Sequence, residues 1–179
     1  MNLADARDIS APREDVWSAI LDPDVLKACI PGCQDLTGTV DDGFEAVVVQ
    51  KVGPVKATFK GQVEVSDVVV GESLTLTGQG KGGAAGFAKG SARVTFADTD
   101  VGGTLLSYDV EAKVGGKLAQ LGSRIIDGFT KKLADQFFER FQNGLEDPDE
   151  AEEAQEASHK TDNDDETKPK KGWIGRMLG

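Results

Sequence analysis

The 179-residue chain has only one histidine and two cysteines, the side chains that zinc sites draw on first. His159 lies far along the chain from Cys29 and Cys33, so a zinc site would lack its remaining ligands. The two thiols, in "CIPGC", read as reduced structural cysteines of a cytoplasmic protein. No apolar run approaches the length of a membrane-crossing helix. The opening "MNLADARDIS" has acids where an export signal needs a positive start and an apolar core, which predicts a cytoplasmic location. A basic surface is missing too. The net charge of -11 divides into -5 over residues 1–144, -10 over 145–167 and +4 over 168–179. Nucleic acid is therefore not an expected partner, since that affinity comes from neutralising phosphates.

A phosphate loop is also absent, although "GQGKGGAAGFAKG" (78–90) holds six glycines and a formal G-x-G-x-x-G. Such a loop must follow a strand and open a helix, because the phosphate sits on free N–H groups at the helix start. Residues 91–97, "SARVTFA", alternate as a strand instead, and neither Lys81 nor Lys89 is followed by the hydroxyl that a Walker motif requires. The glycines lie between two strands and need another explanation.

What is present is a change of period along the chain. Residues 3–10 suit a first strand. Pro12, Glu14 and Asp15 suit the start of a short helix carrying Val16, Trp17, Ile20 and Leu21, and Asp22 with Pro23 caps a second one that stops at Pro31-Gly32. From about 35 to 114 the period is two. Phe44, Ala46, Val48 and Val52 share a face; Val55, Ala57, Phe59, Gly61, Val63 and Val65 follow, then Leu74 and Leu76 leading into Gly78 and Gly80, and finally Leu106, Tyr108, Val110, Ala112 and Val114. One-sided alternation in successive strands predicts an antiparallel sheet with one wet and one buried face. Residues 116–142 predict one long amphipathic helix to cover it, with a stripe of Leu118, Leu121, Ile125, Phe129, Leu133 and Phe137, widened by Ile126, Phe138 and Phe141. Gly61, Gly78 and Gly80 fall on the inward face. Either they bulge and bend the sheet or they leave room for a ligand, and both readings stand at this level.

On "APREDVW" (11–17), "DPDVLKACIPGCQ" (22–34), "VGPVKATFKG" (52–61), "GKGGAAGFAKG" (80–90) and "VGGKLAQLGSRIIDGFTKKLADQFFERF" (114–141), the chain resembles CoxG, the family of the carbon monoxide dehydrogenase G subunit. That family lies within the START/Bet v 1-like helix-grip superfamily. The resemblance covers roughly residues 1–142. It implies an α+β helix-grip domain over 1–144: a curved antiparallel sheet around a long C-terminal helix, with two short helices after the first strand. It also implies an apolar cavity between sheet and helix. The lining of that implied cavity would be Phe44, Val48, Phe59, Gly61, Leu76, Gly78, Gly80 and Tyr108 from the strands, Leu121, Ile125 and Phe129 from the helix, and Phe87 from a hairpin at the mouth, with Gln50 as a further inward polar group. The implied role is to hold a quinone, menaquinone or ubiquinone, as a carried ligand with no tightly bound cofactor, and to link a molybdenum CO dehydrogenase-type enzyme to the cytoplasmic membrane. The alternative is a recruitment adaptor that carries nothing. Some members of the superfamily are enzymes. Catalysis is not expected here, because the domain lacks a histidine, its cysteines lack a base, and no carboxylate pair falls on the inward faces identified above.

Beyond the domain, residues 145–171 are acidic and nearly free of apolar side chains, which predicts a disordered linker. The last eight residues follow as an amphipathic docking terminus. Trp173, Ile174, Met177 and Leu178 stand beside Lys170, Lys171 and Arg176, a composition suited to the inner face of the cytoplasmic membrane or to a protein partner.

Overall fold

The computed structural model describes residues 1–146. In chain order the elements are β1 (Asn2–Ile9), α1 (Arg13–Ile20), α2 (Pro23–Cys29), β2 (Cys33–Thr39), β3 (Gly43–Val52), β4 (Val55–Val69), β5 (Ser73–Lys81), β6 (Phe87–Asp98), β7 (Thr104–Gly115), α3 (Lys117–Gln120) and α4 (Ser123–Glu146). The seven strands form one antiparallel sheet in the order β1-β7-β6-β5-β4-β3-β2. This is the α+β helix-grip architecture that the periodicities predict.

Local chemistry accounts for the boundaries. The Asp22 carboxylate accepts hydrogen bonds from the backbone N–H of Asp24 at 2.8 Å and of Val25 at 3.4 Å, with Pro23 as the first residue of α2, so the cap reading holds. β4 runs as fifteen residues whose burial alternates strictly from Val55 to Ser66. The glycine-rich run folds as a β5–β6 hairpin whose tip is a short 3₁₀ turn, Gly83–Ala85, and no helix follows it.

The expected single helix over 116–142 is corrected. Gly122 adopts φ +86°, a left-handed conformation that stops α3 and lets α4 start in a new direction, and α4 then continues to Glu146. The stripe is rotated as well. Ile126 and Phe141 are buried, whereas Ile125 is 43% exposed and leans on the β3–β4 turn beside Gly53.

Candidate functional site

The apolar interior is split. One cluster joins Ile9, Val16, Leu74, Val94, Phe96, Leu106, Tyr108 and Phe141, with Phe137, Phe138 and Leu145 packed against it. A second joins Val52, Leu118 and Ile126, with Met1, Val55, Phe59, Val114, Leu121 and Phe129 packed against it. α4 therefore grips the sheet through separate apolar groups near its two ends. Its backbone comes closest to α2, β1, α1 and β3, at the margins of the sheet rather than its middle.

Between the clusters the inward face of the sheet is floored by small residues. One cross-strand row reads Ala46, Gly61, Gly80, Ala88, Val114, and the next reads Phe44, Val63, Gly78, Gly90, Ala112. All of these except the buried Phe44 are only half-buried, as are Val48 on β3 and Leu133 on α4, which belongs to neither cluster. The inward face thus keeps a strip of small and half-buried apolar residues partly open to solvent between the two clusters, an open groove along the sheet. Val48 pairs with Phe59, Gly61 with Gly80, and Gly78 with both Val63 and Gly90, so the expected lining residues of β3, β4 and β5 are brought together. Leu121 and Phe129 come from the helical side, and Leu76 packs against the first cluster.

The two readings of the glycines now separate. Register runs unbroken through Gly61, Gly78 and Gly80, and the only shift between β4 and β5 lies at Ser66/Val69, so these glycines mark no bulge. A Cβ on Gly80 would meet nothing nearer than the Lys60 carbonyl oxygen at 3.9 Å, whereas one on Gly90 would lie 2.3 Å from the Glu111 carbonyl oxygen. Gly80 leaves space; Gly90 permits close approach of β7.

Tyr108 is buried and stacks on Phe138 with ring centroids 5.3 Å apart. Its hydroxyl accepts a hydrogen bond from Arg7 Nη2 at 3.2 Å, so it is a satisfied core tyrosine at the margin of the groove. Arg7 is the polar residue that the sequence reading missed. Asp5 and Arg7 pair with Tyr108 and Leu106 on the inward face of β1. Arg7 Nη2 also contacts Asp135 of α4 at 2.6 Å and Asp5 at 3.1 Å, with the guanidinium 5.3 Å from the centre of the Phe138 ring. Burial works against its charge, but Asp135, Tyr108 and Asp5 outweigh that and hold its pKa above the usual value. The cluster ties edge strand to helix. Asp5 and Asp135 are both bound to that one guanidinium, and both side chains are about half exposed. Gln50 donates to the Pro31 carbonyl oxygen and is likewise occupied.

Residues 6–146 match the sequence profile of CoxG, the G subunit of carbon monoxide dehydrogenase. The chain belongs to the CoxG family. A conserved protein from Geobacillus kaustophilus is similar at 30% identity, with a TM-score of 0.76 over 81% of this chain and 95% of that one. A START superfamily protein from Mycobacterium smegmatis, at 13% identity, superposes with a TM-score of 0.61 over 81% of this chain and 97% of that one. A protein from Chromobacterium violaceum, at 20% identity, gives 0.59 over 81% and 97%. The last two show the shared fold. No curated protein matches the chain.

In this CoxG family member Phe87 does not join the groove. β6 begins at Phe87, earlier than the alternation from residue 91 indicates, and its inward residues are Ala88, Gly90, Ala92, Val94 and Phe96. Phe87 therefore lies on the outer face over Gly115, 43% exposed. Ile125 is displaced from the groove to its rim by the rotation of α4. Two open hollows of about 690 and 620 Å³ also lie on the outer face, bordered by side chains such as Gln62, Gln79, Lys89 and Glu111. The linker and docking terminus, with Lys170, Lys171, Trp173, Ile174, Arg176, Met177 and Leu178, lie outside the described residues. Among the described residues no helix is long and apolar enough to cross a membrane.

Cys29 and Cys33 are free thiols. Burial pushes Cys29 up to about 11, Arg140 pulling weakly the other way, and burial raises Cys33 despite Lys27. At pH 8 the folded protein should therefore resist iodoacetamide at Cys29 while Cys33, the less buried, is alkylated slowly; peptide mapping after timed quenching checks the order.

Proposed function

We propose that this protein is a non-enzymatic carrier that holds a quinone-like lipid in the groove and moves it between the cytoplasmic membrane and a molybdenum CO dehydrogenase-type oxidoreductase. The observation that carries the reading is the split interior. A sheet face floored by Ala46, Gly61, Gly78, Gly80 and Gly90 leaves half-buried apolar side chains that a long apolar ligand would cover. Covering them gains roughly 25 cal/mol for each Å² removed from water, which suits a ligand that water dissolves poorly. The Arg7 cluster sits at the margin, where Nη2 is bound to Tyr108, Asp5 and Asp135 while the buried Nε has no partner, so the apolar floor rather than this cluster sets the ligand class.

Family membership supports the partner class, and the apolar groove supports the ligand class. A peripheral position on the inner face of the membrane is part of the same proposal. Organic extraction of the full chain, purified from cells that make quinones, followed by mass spectrometry, tests the ligand. One quinone per chain is expected. An extract free of any apolar molecule would favour an adaptor that recruits the enzyme, and turnover of a small substrate without any partner would favour an enzyme.

A further inference from the structure

The outer face of the sheet carries an arrangement that costs stability. Lys51 stands directly opposite Lys56, Lys60 opposite Lys81, and Lys89 opposite Lys113. Like charges facing each other across strands destabilise a sheet, and no ion pair among the described residues involves any of the six. All lie toward the end of the sheet where β3 turns into β4 and β5 into β6. Phe87 follows Lys60 and Lys81 in the same cross-strand row, 43% exposed, and Ile125, also 43% exposed, leans on the β3–β4 turn at that end. Of the carboxylates on this face, Glu111 lies one outward position from Lys113 without forming an ion pair, and Glu45 accepts a hydrogen bond from Gln62 at 3.3 Å. The opposite end has the reverse character, with Asp41, Asp67, Asp98 and Asp100 at or beside its turns.

We infer that the lysine-bearing end is a docking surface for an anionic lipid bilayer. Its charge complements anionic headgroups, its two isolated apolar side chains suit shallow insertion, and the acidic end is repelled, which fixes the orientation. The groove-lining part of α4 begins at this same end, so docking there would present the groove to the bilayer. This deepens the carrier reading, but the contact itself needs no ligand and is measured without one.

The test uses the full chain and vesicles of phosphatidylglycerol mixed with phosphatidylcholine. Lys81→Glu with Lys89→Glu should weaken co-sedimentation at least about tenfold, following roughly 1 kcal/mol for each basic residue near an anionic surface. Lys132→Glu with Arg140→Glu, the same change in net charge on α4, should weaken it less than about threefold. Because Lys60 and Lys113 would then face carboxylates, the first variant should melt no lower than wild type, which separates lost docking from lost folding. Equal losses in the two variants, equal binding to pure phosphatidylcholine, or undiminished binding of the first variant would overturn the proposal. So would loss of association with the oxidoreductase in that variant alongside unchanged vesicle binding, which would make the surface a protein interface.

Discussion

Gly80→Leu should strip the protein of its apolar ligand while the fold survives. The position faces the groove, a Cβ there meets nothing closer than 3.9 Å, and a leucine side chain would project from the inward face over the small-residue floor. A melting temperature within about 2 °C of wild type is expected, since the substitution also removes a flexible glycine from a strand interior. Gly90→Ala, a far smaller change, should do the opposite. Its methyl group would fall 2.3 Å from the Glu111 carbonyl oxygen and 2.9 Å from the Ala112 Cα, so β6 and β7 must separate. That costs about 3 kcal/mol, or roughly 10 °C in melting temperature. Thermal melts and ligand stoichiometry measured on both variants decide the matter. If Gly80→Leu loses fold and ligand together, the glycine is there for the backbone and the groove reading fails.

Phe141→Ala should be the most damaging single truncation on α4. Phe141 is 1% exposed, with its ring 5.8 Å from Phe137 and 6.5 Å from Phe138, at the centre of the larger cluster. Removing a buried phenylalanine costs roughly 3–5 kcal/mol. Ile125→Ala, on the rim, should cost less than about 1 kcal/mol, although Ile125 and Phe141 both belong to the apolar pattern of the same helix. Urea unfolding of the two variants gives the comparison. Equal costs would mean that α4 is held along one continuous stripe and that the interior is not split.

These contrasts show what sequence periodicity can and cannot carry. β4 was legible because its alternation is long and one-sided, and α2 because Asp22-Pro23 states its own cap. The break at Gly122 was not legible: Leu118, Leu121 and Ile125 keep helical spacing across it, so the pattern continues where the backbone does not. The adjacent pair Ile125-Ile126 then carried the error, since one residue on a helix is a turn of about 100°. Phe87 was expected on a hairpin at the mouth, but β6 begins there, and in a strand a single position decides the face, here the outer one. Asp5 and Arg7 were overlooked because charged residues in an edge strand suggest solvent, and only the fold brings Asp135 across from α4 to meet them. The small-residue floor was visible one strand at a time. That its rows line up without a bulge depends on cross-strand register, which no single strand encodes.

The groove itself is tested most directly by photolabelling, which works whatever the natural ligand is. A long-chain fatty acid bearing a diazirine near its apolar end would be mixed with the full chain, irradiated and mapped by peptide mass spectrometry. Labels are expected on the facing surfaces of β4, β5 and α4, at residues such as Val63, Leu76, Phe129 and Leu133, and should vanish in Gly80→Leu. Labels confined to the exposed apolar positions Val70, Val101 and Phe87, unchanged by that substitution, would contradict the existence of an apolar binding groove between sheet and helix.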